Sequence, residues 1–415
     1  MTVTAASGIT PLTAPVGTAR LTSAPAPDFA THLATFGPLP WPEHSAGLPD
    51  LLDVVRNAGL HGRGGAAFPA WRKLAAVPAR ERARGRRVVV IGNAAEGEPL
   101  SSKDATLLMV APHLVIDGLL LLAHAVDAKA VYLYAQRSTL ASVSRALGER
   151  PDARAIELRE AADSFISGEA SAVVSALAGG RPIPQDRTAR LTESGLGARP
   201  TLLHNVETLA HIALIRRFGA PWFRSLGTGA DPGTRLVTVH GGSRPPTVLE
   251  IAGGTRLHQV LRFAGIDPAG LSAVLVGGFH GAWVPASAGD VRLDREDLAP
   301  FGAGPGAGIL LAQDARRCPL STASSIATYL AGETAGQCGP CVNGLPAMAA
   351  VLGRLARGER DAALSIELRR LASLVTGRGS CHHPDGTARF VLSTLTVFDA
   401  DVQAHLSGTC RKEHS

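Results

Sequence analysis

The sequence predicts an α/β chain in three parts: a mostly parallel sheet covered by helices, a small α+β unit, and a C-terminal bundle of four helices. Three observations carry this. Between residues 87 and 177, short apolar runs alternate with stretches of helical periodicity, the pattern of strand–helix–strand units. After about Arg217, short β-type runs separated by Gly and Pro turns take over. From about Leu320 the period becomes helical again, with short connections. At 415 residues the chain exceeds what one core usually holds. The expected boundaries are 1–45 for a mobile N-terminal segment, 46–217, 218–312 and 313–415.

Residues 1–45 are rich in Ala, Thr, Ser and Pro and lack periodicity. A helix follows at 48–58, with Leu51, Leu52 and Val55 on one face and Gly59 ending it. Strands are expected at 87–91, 130–134 and 155–158, and helices at 112–125, 139–147 and 168–177. The α+β unit has β-type runs at 236–240, 247–250 and 273–276, with a helix at 256–264. The bundle helices are placed at 321–331, 345–357, 361–374 and 388–406.

Composition excludes several classes. The chain is 45% hydrophobic, too apolar for a largely disordered protein. Aromatics make up only 4%, against a base-stacking single-strand binder. The +6 charge is spread thinly, and the one dense basic run, 80–87, reads as a solvated loop rather than a nucleic-acid patch. The most apolar stretch, 107–128, contains Pro112, His113, Asp117 and His124, so it does not read as a membrane span. No signal peptide is recognisable. Five cysteines without a disulfide spacing point to ligand thiols in a reducing compartment, and the expected location is cytoplasmic, with a peripheral place on a membrane complex left open.

Three motifs can carry chemistry. In Gly59-Leu60-His61-Gly62-Arg63-Gly64-Gly65-Ala66-Ala67-Phe68-Pro69, glycines allow a ligand close to the backbone and aim N–H groups at phosphate; a structural turn reads equally well. Gly92-Asn93-Ala94-Ala95-Glu96-Gly97-Glu98-Pro99 follows the first expected strand, where open α/β sheets bind ligands. Asn93 can donate and accept, and Glu96 and Glu98 can accept from ribose hydroxyls. Lys103-Asp104 beyond it reads equally as a surface ion pair. Last come Cys338-Gly-Pro-Cys341, Cys381 and Cys318. Four thiolates suit either zinc or a [4Fe–4S] cluster, and His382 and His383 keep zinc open. Cys410 reads as a free thiol.

Together these motifs resemble the flavin- and NADH-binding subunit of respiratory complex I and the diaphorase subunits of NAD-linked hydrogenases and formate dehydrogenases. The resemblance runs from about Leu48 to Cys381, anchored by GLHGRGGAAFPAWRKL, GNAAEGEPLSSKD, APHLVIDGLLLLAHAV, FISGEASA, HNVETLAHI and CGPCVNG. It implies a Rossmann-like FMN domain, a ubiquitin-like β-grasp domain and a helical bundle holding one [4Fe–4S] cluster. It further implies FMN contacts at Gly62, Arg63, Gly64, Gly65, Phe68, Lys73, Asn93, Glu96, Glu98 and Asn205. Glu169 would lie near the nicotinamide nucleotide, and Arg63 and Lys73 would face the flavin phosphate.

The chain departs from that family at several positions. Ala95 replaces an aspartate and Ala170 one of two acids in Gly168-Glu169-Ala170-Ser171. Arg187 and Arg190 stand in an aromatic and lysine region, and His204 replaces the first of two asparagines. Ala335 occupies the position of the first cluster cysteine, so either the site is open at one corner or, as the favoured expectation, Cys318 joins Cys338, Cys341 and Cys381. The resemblance implies an oxidoreductase passing electrons from NADH through FMN to the cluster and on to a partner, either a ferredoxin or part of a membrane reductase. No side chain need serve as acid or base. The alternatives are a redox protein of the same build that does not use NADH, and a scaffold that has lost its cofactors.

Overall fold

The computed structural model describes residues 12–41, 47–77, 87–186, 189–241, 245–410 and 412–413. The expected mobile segment is corrected over 12–41. Strand β1 (Leu12–Thr13) pairs in parallel with a strand more than 230 residues later. Helix α1 (Phe29–Phe36) is capped by Asp28, whose carboxylate accepts from the Thr31 N–H at 2.9 Å. Between them the N–H groups of Arg20, Leu21 and Thr22 all donate to the buried Glu250 carboxylate, which a composition-based reading could not anticipate. The next helices are α2 (Gly47–Ala58) and α3 (Ala70–Ala75).

The parallel sheet has strands β2 (Val89–Ala94), β3 (Ala130–Ala135), β4 (Ile156–Glu160) and β5 (Thr201–Asn205), in spatial order β4-β3-β2-β5. The run of β-branched residues at 88–91 alternates between its two faces. Val88 and Val90 join the large core formed with α2 and with α4 (Lys103–Val110) and α5 (Pro112–Ala125), whereas Val89 and Ile91 meet Tyr134, Val173 and Leu203 on the other side. Helix α6 (Leu140–Gly148) leads to β4, and α7 (Ala170–Leu177) carries Val173 and Val174 onto the second face. Proline at its first turn starts α5. Helix α8 (Val206–Arg224) packs along α5 and is interrupted at Gly219, φ 82°, two residues before Pro221.

The apolar α5 carries one acid, Asp117, into the core. His32 lies 2.8 Å away and Arg217 2.6 Å, with Arg150 on the other oxygen. Burial alone would raise its pKa, but these partners hold the carboxyl down at about 2. Helices α4 and α5 are bent by 95°, and no helix among the described residues is long and apolar enough to cross a membrane. Of the basic run, 80–86 lies outside the described residues, as does Arg187; Arg87 is exposed and pairs with Asp127.

The second sheet is mixed. Strands β6 (Thr234–His240) and β7 (Thr247–Ala252) form a hairpin, α9 (Leu257–Phe263) crosses one face, and β8 (Leu271–Val276) and β9 (Ala282–Pro285) form a second hairpin. After the short α10 (Arg295–Leu298), β10 (Ile309–Asp314) inserts between β6 and β8, parallel to the first and antiparallel to the second. The order β1-β7-β6-β10-β8-β9 is that of a β-grasp with β1 added at its edge. Leu257, Val260 and Leu261 of α9 cover Val237, Val239 and Ile251.

Five helices follow where four are expected: α11 (Pro319–Gly332), α12 (Leu345–Ala356), α13 (Ala363–Val375), α14 (His383–Val397) and α15 (Asp399–Leu406). The expected last helix starts five residues earlier and breaks at Phe398, whose side chain turns into the core against Trp283 of β9. Trp283 also donates to the Thr394 hydroxyl at 3.1 Å, fastening α14 to the β-grasp sheet.

Candidate functional site

The strand order reverses beside β2: β3 and β4 are added on one side, and β5 returns to the other. Ligands of open parallel sheets bind outside the carboxyl ends of strands at such a reversal. Asn93 ends β2 next to Ala94, Asn205 ends β5, and the two are register partners. Asn205 also caps α8, its Oδ1 accepting from the Glu207 N–H at 3.0 Å, while its Nδ2 donates to Asp104 at 2.6 Å. Asn93 donates to the Gly168 carbonyl at 3.0 Å.

The glycine loop closes over this crevice. It is pinned by an antiparallel bridge between His61 and Pro69, and by the Gly62 N–H donating to the Phe68 carbonyl at 2.9 Å. A Cβ on Gly64 would lie 3.0 Å from the Asn205 Cβ, and Gly65 has φ 111° with open space before it. A Cβ on Gly97 would lie 2.3 Å from the Phe165 carbonyl oxygen, and one on Gly168 2.9 Å from that of Ala95. Three loops therefore approach through bare backbone around the paired asparagines.

Several expected contacts take other partners. The Arg63 guanidinium is 2% exposed and turned inward to Asp231 at 2.6 Å and the carbonyls of Pro232 and Thr234. It buttresses the loop from behind rather than facing a phosphate. Glu96 accepts from the Asp104 and Ala105 N–H groups and the Ser101 hydroxyl, so its carboxylate caps α4. Glu169 likewise caps α7 through the Ser171 and Ala172 N–H groups. The pair Lys103–Asp104 is buried, not superficial, with Glu207 2.9 Å from the same ammonium. Burial would raise the Glu207 pKa; Lys103, His211 and Arg63 together outweigh it and hold the carboxyl well below its usual range. Lys73 donates to the Leu203 carbonyl at 3.0 Å, and desolvation lowers its pKa. Phe68 is exposed on the rim.

Glu98 points away from the crevice to the β8–β9 turn, accepting from the Phe279 N–H at 3.1 Å. Desolvation pushes its pKa up to about 8. Behind it, Phe165 packs on Tyr329, His280 and His383. His280 and His383 lie 3.0 Å apart, nitrogen to nitrogen, and burial takes the His280 pKa down to about 3. This seam of four chain segments leads to Cys381, two residues before His383.

Cys338, Cys341 and Cys381 come together. Cys341 interacts with both of the others; burial, then their proximity, pushes its thiol up to about 12. Cys338 and Cys341 open the turn into α12, and Cys381 precedes α14 by two residues. Burial likewise raises the Cys381 thiol, against a bond from the His383 N–H. Cys318 is not among them. It caps the opposite end of α11, a 14-residue helix that spans about 21 Å at 1.5 Å per residue. His382 is exposed and reaches Asp385; His383 is buried and bonds the Leu330 carbonyl.

Residues 55–214 match the Nuo51 FMN-binding domain, and residues 321–405 match the NADH-ubiquinone oxidoreductase-F iron-sulfur binding region. Over both regions the chain is similar to the NADH-quinone oxidoreductase F family. The second F-type NADH-quinone oxidoreductase protein of Rhizobium meliloti (strain 1021) is 29% identical over 376 residues, covering 86% of this chain and 89% of that protein. The NADP-reducing hydrogenase protein HndC of Solidesulfovibrio fructosivorans is 27% identical, covering 86% and 76%. The crystal structure of NAD+-reducing [NiFe]-hydrogenase in the H2-reduced state superposes with a TM-score of 0.78 at 29% identity. That match covers 88% of this chain and 64% of the hydrogenase chain.

The two groups bound in this family can be tested against these residues. The glycine approach to Asn205, the open space before Gly65, the paired asparagines and the Lys73 ammonium fit a flavin mononucleotide. Three soft thiols at two helix starts fit an iron–sulfur cluster held at three corners, Ala335 leaving the fourth without cysteine. Sequence reasoning missed Asp231, Phe165, His280 and Glu207 as parts of the site. Of these, Glu207, in the Asn-Val-Glu-Thr segment, and Phe165, the first residue of FISGEASA, lay within recognised motifs.

Proposed function

We propose that the chain is the electron-input component of a larger oxidoreductase, accepting hydride from NADH at FMN and delivering electrons through a cluster on Cys338, Cys341 and Cys381 to a partner protein. The observation that carries this reading is the glycine loop resting on Asn205 at the strand reversal. A bound flavin supplies the conversion of a two-electron hydride into single electrons. The chain's own part is placement. Asn93 and Asn205 orient polar ring or ribose edges, the bare loop admits the phosphate side, and Lys73 offsets negative charge. The Phe165–His280–His383 seam keeps water from the region between the two sites. A ferredoxin-like protein or a component of a membrane reductase suits the role of acceptor.

A second reading replaces NADH by another donor while keeping both groups. It is favoured by Ala170, which stands beside the capping Glu169 where the family carries a second carboxylate. Anaerobic purification with flavin and iron quantification, followed by stopped-flow mixing with NADH, separates the readings. Bleaching of bound flavin is expected. Flavin that NADH leaves oxidised would leave only the second reading, and a colourless protein would sink both.

A further inference from the structure

Cys318 has a site of its own. Its sulfur lies 3.2 Å from His405 Nε2, and these two and the Cys410 sulfur all lie within 4.8 Å of one another. Cys318 and His405 are each 1% exposed. The imidazole is oriented for metal binding. Its Nδ1 lies 3.0 Å from the Leu355 carbonyl oxygen, which can only accept, so Nδ1 carries the proton and Nε2 turns a lone pair toward the sulfurs. The Cys318 sulfur sits over the start of α11 and accepts from the N–H groups of Ser321 and Leu320, while burial outweighs them and pushes the thiol up to about 11.

The three residues are held independently of any ion. The Cys318 N–H donates to the Glu413 carbonyl at 2.7 Å, the Glu413 N–H to that of Arg316 at 3.1 Å, and Arg317 and Glu413 form a parallel bridge. Lys412 pairs with Asp401 of α15 at 2.6 Å. The segment containing Cys410 is thereby laid beside the approach to Cys318. Two thiols and one imidazole form a donor set that selects zinc among the common divalent ions. With Zn–S near 2.3 Å and Zn–N near 2.05 Å, a tetrahedral ion separates sulfur from nitrogen by about 3.6 Å, close to the spacing present.

We propose that Cys318, His405 and Cys410 bind a zinc ion that staples the C-terminal segment across the start of α11, at the opposite end of the bundle from Cys338, Cys341 and Cys381. Binding transfers the two thiol protons to solvent and leaves the imidazole neutral. Solvent completes the tetrahedron. The ion has a structural role and lies off the electron path.

The test uses the full chain, purified without chelator and reconstituted with zinc sulfate, with metal content read by mass spectrometry. One tightly held zinc per chain is expected, with affinity lowered at least about tenfold in Cys410→Ser and in His405→Gln. Cobalt(II) in place of zinc should give thiolate charge-transfer and tetrahedral d–d absorption, lost in the same variants. Cys410→Ser is the decisive variant because its side chain is only half-buried, and circular dichroism checks that it folds. Cys338→Ser should keep the zinc while losing iron. Zinc retained unchanged in folded Cys410→Ser overturns the proposal. So does a mass two daltons lighter under non-reducing conditions that shifts back on reduction, which would mark a Cys318–Cys410 disulfide instead.

Discussion

At the scale of single residues, the flavin crevice depends on an absent side chain. A Cβ on Gly64 already meets Asn205 at 3.0 Å, so the γ-methyls of valine must push the loop off the asparagine or project into the ligand space. Gly64→Val is expected to fold with an unchanged circular dichroism spectrum and to bind FMN roughly tenfold or more weakly, a loss of about 1.4 kcal/mol, read by flavin fluorescence on titration. Arg63 offers the contrast. Its guanidinium is fixed on Asp231 behind the loop, so Arg63→Ala removes the closer of two buried cations from that carboxylate, leaving Arg235 at 3.5 Å. It also takes the donor from the Pro232 and Thr234 carbonyls. The substitution is expected to cost about 3 kcal/mol in stability, measured by urea unfolding. No local pattern could reveal this role. Asp231 lies 168 residues away in a Gly-Pro turn, and only folding brings it under the loop.

At the scale of elements, legibility followed the reach of the interactions that decide each one. Helix α5 was readable from Pro112 to Ala125 because its first-turn proline and apolar period are local. Strands β5 and β10 were not. Each is short, β10 follows the glycine-rich stretch 302–308, and its place between β6 and β8 is decided by two distant partners. The three converging cysteines were legible by spacing and resemblance; so was the place of Cys318 before the helix expected at 321–331. What overturns it as a fourth ligand is that the chain does not fold back along α11. This fixes an expectation for the iron site. Cys318→Ser should leave the iron-to-protein ratio and the EPR signal unchanged, and Cys338→Ser should abolish both. Ala335→Cys, three residues before Cys338, supplies a thiol where the family has one. It should raise cluster retention during aerobic handling, checked by the decay of visible absorption.

At the scale of the whole molecule, Glu98 joins two sheets. It leaves the loop after β2 and receives the Phe279 N–H beyond β8. Desolvation raises its pKa from 4.5 to about 8. Over that interval the folded chain keeps a proton that the unfolded chain has released. This contribution to stability is therefore complete below pH 4.5 and is lost as pH rises through about 8. Glu98→Gln mimics the protonated group. The thermal midpoint of the wild type should fall relative to that of the variant between about pH 5 and pH 8; parallel curves would show that the carboxyl ionises freely in the fold.

The edge strand β1 sets an order of events during synthesis. Leu12 and Thr13 are made long before their partners Val248 and Leu249, which emerge some 235 residues later, a delay of roughly 10–50 s at ribosomal rates of 5–20 residues per second. Glu250, which gathers the N–H groups of Arg20, Leu21 and Thr22, arrives at the same late moment. The hairpin they join is itself incomplete until β10 slides in beside β6. The stretch 12–22 therefore waits without these partners throughout that interval, while α1 behind it meets partners on α5 that are made far earlier. A polar stretch rich in Ala, Thr, Ser and Pro suits such a wait, because it offers little apolar surface for premature pairing while its partner strand has yet to be made.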